Sequence, residues 1–184
     1  MAAAASKSEG TGPGGNAVTP AEQQHNVKIA QGDLDAANNE IERFYALNRA
    51  AKGALAAGKT EEARKLATEL ERLAPKYTDD WNYGNAIQDA HQVLGRIALS
   101  EGAIGEAKRR LLASADSKGS PQMNSFGPNM QLAKDLLAQG ERDVVVKYFE
   151  RCSKFWKMGR DRLAAWSETV REEKTPDFGA NLKY

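Results

Sequence analysis

The chain has 184 residues, of which 41% are hydrophobic, 28% charged and only 7% aromatic. That is enough for one folded domain with its own core, and an apolar share dominated by alanine favours closely packed helices over sheets. A formal net charge of +1 gives no global attraction for nucleic acid or anionic membrane, and a single cysteine, Cys152, excludes an internal disulfide and any cysteine-rich metal site.

Residues 1–18 are rich in Ala, Gly and Ser and read as a disordered leader without the apolar centre of a secretory signal. A cytoplasmic protein is the expectation, with export as the alternative if an upstream signal has been removed. No run approaches the roughly 20 apolar residues that span a bilayer. Thr19-Pro20-Ala21-Glu22 is a helix start, with a capping Thr, Pro in the first turn and Glu placed to reach back. Gln31-Gly32 predicts an early end to this first helix, after which Asp33 caps a longer one carrying Leu34, Ala37, Ile41, Phe44, Ala51 and Leu55. Gly58 stops it. A third helix runs from about Thr60 to Leu73, with Ala63, Leu66, Ala67, Leu70 and Leu73 as its stripe and Pro75 beyond its end.

Thr78 or Asp79 opens the next helix, which carries Ile87, His91, Leu94 and Ile97 and ends near Gly102; Gly84 weakens its first turns. Ile104 to Ala115 follows. The stretch 116–128 is longer than an ordinary connection and contains Gly-Ser-Pro and Phe-Gly-Pro turns. Helices are then expected at 129–139, at 142–156 and around Leu163, Trp166 and Val170, with a break at Met158-Gly159. Residues 174–184 read as an irregular tail, so one domain over 19–173 lies between disordered ends. No segment alternates with period two, and the fold class is all-α.

Three glycines, Gly58, Gly102 and Gly140, each separate two helices, and similar residues recur around them. Ala63, Ala107 and Val145 lie five positions on; Ala67, Leu111 and Phe149 nine positions on. Ala50, Leu94 and Leu132 lie eight before, each followed by a small residue: Ala51, Gly95 or Ala133. Small side chains at those places let paired helices approach closely. The pattern resembles the tetratricopeptide repeat over roughly 44–157, with Ala50 in place of the usual Leu, Val145 in place of the packing Ala and a closing Pro only after the first copy. The resemblance implies an array of about three antiparallel helical hairpins with extra helices at both ends. It also implies a concave groove lined by the first helix of each pair, where a peptide or protein segment binds.

In that register Lys52, Arg96 and Lys134 occupy one groove position, preceded by Asn48, Gln92 and Met130. A row of cations flanked by amides suits an acidic segment or a terminal carboxylate. The insertions between pairs are expected on one edge, where Trp81, Asn82, Tyr83, Met123, Asn124 and Phe126 would cluster.

Neither His25 nor His91 has metal-ligand partners at suitable spacing, and no nucleophile, phosphate-loop or dinucleotide signature occurs. The expectation is a non-enzymatic adaptor or scaffold, with no catalytic residues, metal or cofactor. Two alternatives stay open. One is a nucleic-acid or anionic-surface binder using Lys147, Arg151, Lys154, Lys157, Arg160 and Arg162 with Tyr148, Phe155 and Trp156 interleaved. The other is a homo-oligomer in which Phe178, Leu182 and Tyr184 dock into a neighbour's groove.

Overall fold

A computed structural model describes residues 19–183, apart from the side chain of Gln23; the leader at 1–18 and Tyr184 lie outside the described residues. These contain nine α-helices and no strand: α1 (Pro20–Asp35), α2 (Glu40–Ala56), α3 (Thr60–Leu73), α4 (Tyr83–Ser100), α5 (Ile104–Ala113), α6 (Pro121–Phe126), α7 (Gln131–Ala138), α8 (Arg142–Cys152) and α9 (Arg160–Arg171). Short 3-10 turns occupy Ala74–Tyr77, Lys157–Gly159 and Gly179–Leu182. None of the described helices is long and apolar enough to cross a membrane.

The expected capping box forms, with the Thr19 hydroxyl accepting from the Glu22 N–H and the Glu22 carboxylate accepting from the Thr19 N–H. The early break at Gln31-Gly32 does not. The first helix runs through Gly32 to Asp35, and Leu34 is buried on it. Glycine within a helix costs only about 1 kcal/mol, and burying Ala30 and Leu34 offsets that. The cap of α2 is therefore Asn39, whose side chain accepts from the Glu42 N–H, and not Asp33.

Gly58, Gly102 and Gly140 close α2, α4 and α7 in the same way. Each has a φ between +72° and +82°. At each, the N–H of the following residue reaches back six positions inclusive: Lys59 to Ala54 O, Ala103 to Ala98 O and Glu141 to Leu136 O. This is the Schellman closure, which favours glycine because a Cβ resists the left-handed region. Each turn returns the chain against the helix it has just left, so α2 packs on α3, α4 on α5 and α7 on α8.

Two apolar clusters result. The first joins α2, α3 and α4 around Phe44, Leu47, Leu70 and Ile97; the second joins α5, α7, α8 and α9 around Leu132, Tyr148, Phe149 and Trp166. Gly95 sits at their junction, where a Cβ would lie 2.3 Å from Leu132 Cδ2 and 2.9 Å from Arg110 Cβ. The close approach expected of the small residue is real at this position.

Tail residues 174–183 pack against the body rather than hanging free. Phe178 is buried edge-on against Trp166, with ring centroids 5.0 Å apart, and against Phe149 at 6.1 Å. Asn181 is buried as well, and its side-chain amide donates to Phe126 O and Pro128 O while its backbone carbonyl accepts from the Met130 N–H. The stretch read as an irregular tail carries only the short 3-10 turn Gly179–Leu182 and is held in place by these contacts. A Phe178 held within its own chain is not available to a neighbour's groove.

Two side chains of the interior bear on stability and reactivity, His91 and Cys152. His91 is mostly buried between α3, α4 and α5, with Arg110 Nη1 3.0 Å from its Nδ1 and Glu71 3.8 Å away. Burial, outweighing the nearby Glu71, lowers its pKa below 6.5. The unfolded chain therefore takes up the proton first, and stability complete above about pH 6.5 falls as pH drops toward the lower folded value. Glu69 and Glu106, held below 4.5 by hydrogen bonds from Arg43 and Arg110, withdraw their contribution only in more acid solution. Thermal melts between pH 7 and 5 are expected to show a decline that His91→Gln removes, leaving the decline below pH 4.5 in place. Cys152 is fully buried and its thiol is pushed far up by desolvation. It is expected to resist an aromatic disulfide reagent in the native protein and to react at once in denaturant, because the thiolate is the nucleophile.

Candidate functional site

The floor of the candidate site is built on the inward face of α4. Asp89 is buried there, and its Oδ2 accepts from Asn48 Nδ2 at 3.1 Å and meets Lys52 Nζ at 2.9 Å, both from α2. Asn48 Oδ1 accepts from Asn82 Nδ2 at 3.1 Å, and Asn82 Oδ1 accepts from Asn85 Nδ2 at 3.0 Å. This chain of amides ending on one ion pair satisfies groups that burial would otherwise leave costly. It also fixes the spacing of α2 and α4.

Two clefts flank Lys52 and Arg49, which line both. The first, of about 700 Å³, opens between the α1–α2 junction, α2, α4 and α6. Its rim carries three exposed rings, Tyr45, Trp81 and Phe126. Tyr45 and Trp81 stack at 5.7 Å, and the Tyr45 hydroxyl donates to Asp80 Oδ2 at 2.7 Å. Asp33, Glu42, Asn85, Gln122 and Met123 also line it. The second cleft, of about 720 Å³, lies between α1, α2, α4, the start of α7 and the tail. Its charged lining residues are Arg49, Lys52, Arg96 and Lys183, with no carboxylate among the described lining residues; Val27, Ile29, Leu55 and Leu182 form apolar wall.

The predicted groove set separates. Asn48 and Lys52 line the first cleft; Lys52, Gln92 and Arg96 line the second. Met130 is fully buried in the second core cluster and Lys134 is exposed on α7, and neither lines either cleft. Gln92 is itself mostly structural. Buried on α4, it accepts from the Leu132 N–H at 3.2 Å and donates to Asn129 O at 3.2 Å, holding the start of α7. Arg96 pairs with Asp135 at 2.9 Å.

Of the predicted edge set, Trp81, Asn82, Met123 and Phe126 meet in the first cleft, about 40 residues apart in sequence but on one rim. Tyr83 instead packs against the first core cluster, and Asn124 is exposed outside the cleft. The basic stretch near the C-terminus does not keep its interleaved aromatics at the surface. Tyr148, Phe155 and Trp156 are buried, Arg151 is bonded to Asp116 and to Leu112 O, and Arg162 lies over the Trp156 ring at 5.5 Å.

Sequence reasoning missed Asp89, Tyr45 and Glu42. Asp89 had a legible signal, since it falls on the same helical face as Ala86, Val93 and Ile97, where an acid implies a buried partner. Tyr45 had none, because its role depends on Trp81 approaching from another element. Among the described residues no three potential ligands gather into a metal site. Comparison of the chain with protein-family models, with curated proteins and with solved structures finds no match.

Proposed function

We propose that the chain is a tetratricopeptide-like interaction module, a non-enzymatic adaptor or scaffold that holds an acidic peptide or protein segment in a concave groove along α2, α4 and α7. The observation that carries this is the second cleft. Its charged lining consists of Arg49, Lys52, Arg96 and Lys183, beside apolar wall from Val27, Ile29 and Leu182. A segment mixing carboxylates with aliphatic side chains complements both features. The ion pairs of Lys52 with Asp89 and of Arg96 with Asp135 hold those two cations in place. Less side-chain freedom is then lost when a ligand arrives. Four cations, three of them backed by carboxylates, suit a short acidic segment better than a polyanion, for which a longer unbroken basic track is expected.

The test uses a fluorescein-labelled peptide of alternating glutamate and leucine. Binding to the intact protein is expected to weaken as salt is raised and to be lost in Arg96→Glu/Lys183→Glu, with the helical circular-dichroism signal unchanged. Equal binding by that variant would sink the proposal. The glutamines and asparagines of the floor are expected to matter chiefly for stability. Gln92→Leu leaves the Leu132 N–H without its side-chain partner, while Asn129 O keeps the Tyr148 hydroxyl, and is expected to cost about 1–3 kcal/mol in a denaturant titration.

A further inference from the structure

The first cleft differs from the second in both charge and surface, and it points to a different chemistry. Two of its carboxylates are neutralised within the protein: Asp33 meets Arg49 at 3.4 Å and Asp89 meets Lys52 at 2.9 Å. That cancels the two cations of the lining. Glu42, in the lining, and Asp80, bonded to the Tyr45 hydroxyl beside it, are not paired with a cation among the described residues. The cleft thus keeps an excess of negative charge next to three exposed aromatic rings, of which Trp81 is 53% and Phe126 66% exposed.

Large rings left open to water at one mouth, with uncompensated carboxylates beside them, match a cation that also has a flat face. Tryptophan is the strongest aromatic partner for a cation, and its ring here is already held by the stack on Tyr45. A guanidinium stacks on such a ring and donates in a planar fork to a carboxylate, which an ammonium does less well. We infer that the cleft between α2, α4 and α6 receives an arginine side chain of a partner polypeptide, stacked on Trp81 and paired with Glu42 and Asp80. A cleft of about 700 Å³ accommodates that side chain together with its flanking backbone. The hydrogen bond between Asn85 and Gln122, and that from Ser120 Oγ to Asn85 at 2.6 Å, hold α6 and therefore Phe126 against α4. This site is separate from the acidic-segment groove, sharing with it only the already paired Arg49 and Lys52.

The experiment follows the Trp81 indole N–H by nitrogen–proton NMR on the full chain, its signal identified with Trp81→Phe. The probe is N-acetyl-Gly-Arg-Gly-amide, compared with the same peptide carrying citrulline, a neutral near-isostere, and with one carrying glutamate. A saturable shift of the Trp81 signal with the arginine probe is expected, weaker by about fivefold or more with citrulline. Glu42→Gln/Asp80→Asn is expected to weaken the arginine probe similarly while the remaining spectrum stays in place. No shift at Trp81 with the arginine probe would overturn the inference, as would an equal response to citrulline or a stronger response to the glutamate probe. The Arg96→Glu/Lys183→Glu variant is expected to leave the arginine response within twofold, so failure of the groove proposal and failure of this one are told apart.

Discussion

Phe178→Ala is expected to lower stability by about 3–5 kcal/mol, the range for truncating a fully buried phenylalanine. The ring is 2% exposed and meets both Trp166 and Phe149 edge-on. Alanine leaves a cavity walled by large rings that have little room to collapse inward. For a chain of this length the loss corresponds to a fall in Tm of about 6–20 °C, which a calorimetric scan reads directly. The same change loosens what the tail holds. Asn181 lies three residues on and ties residues 126, 128 and 130 through their backbone groups, so the rim bearing Phe126 loses its anchor. Truncation after Lys174 is expected to be at least as damaging. A melt identical to that of the full chain would show that the tail contributes nothing.

Gly84→Ala is the second expected result, and its sign separates local from tertiary causes. By helix propensity alone, alanine near the start of α4 stabilises by about 1 kcal/mol. The fold reverses this. A Cβ at position 84 would stand 2.3 Å from Gly119 O, 2.4 Å from Gly119 C and 2.9 Å from Ser120 N. These are backbone atoms that cannot swing aside as a flexible side chain can. The loop before α6 must then move off α4, at a cost of about 1–3 kcal/mol or more. Ser120 is the N-cap of α6 and bonds to Asn85, so Met123 and Phe126 shift with it. Denaturant unfolding of Gly84→Ala is expected to show net destabilisation, with the Trp81 response to the arginine probe weakened. A stabilised variant would mean that the loop yields freely.

The repeated motif around Gly58, Gly102 and Gly140 was legible because a Schellman turn needs a left-handed residue at one fixed offset from an apolar stripe. Sequence carries that requirement locally, and three turns close with the same bond pattern. The end of α1 was misplaced because Gly32 is only a weak breaker, and contact with α2 outweighed it. Met130, of the expected groove set, lies outside both clefts for a related reason. The register marks which position a side chain leaves from, but not whether a loop lies over it. Met130 starts α7 beneath the tail and is therefore core rather than groove.

Helical class, the helix-closing glycines and the apolar faces thus follow from residue type and spacing, since each depends on groups within a few positions of one another. The two clefts depend on tertiary packing. Trp81 and Phe126 share a rim only because Gly84 lets the loop before α6 lie on α4. Lys183 reaches the second cleft only because Phe178 and Asn181 secure the tail. Charge is assigned at the same level. Lys52 and Arg96 look alike along the chain as free cations, and it is the approach of Asp89 and Asp135 that pairs and orients them. Coulomb attraction acts through space, so the charges that a partner meets are set by the folded neighbours of each side chain.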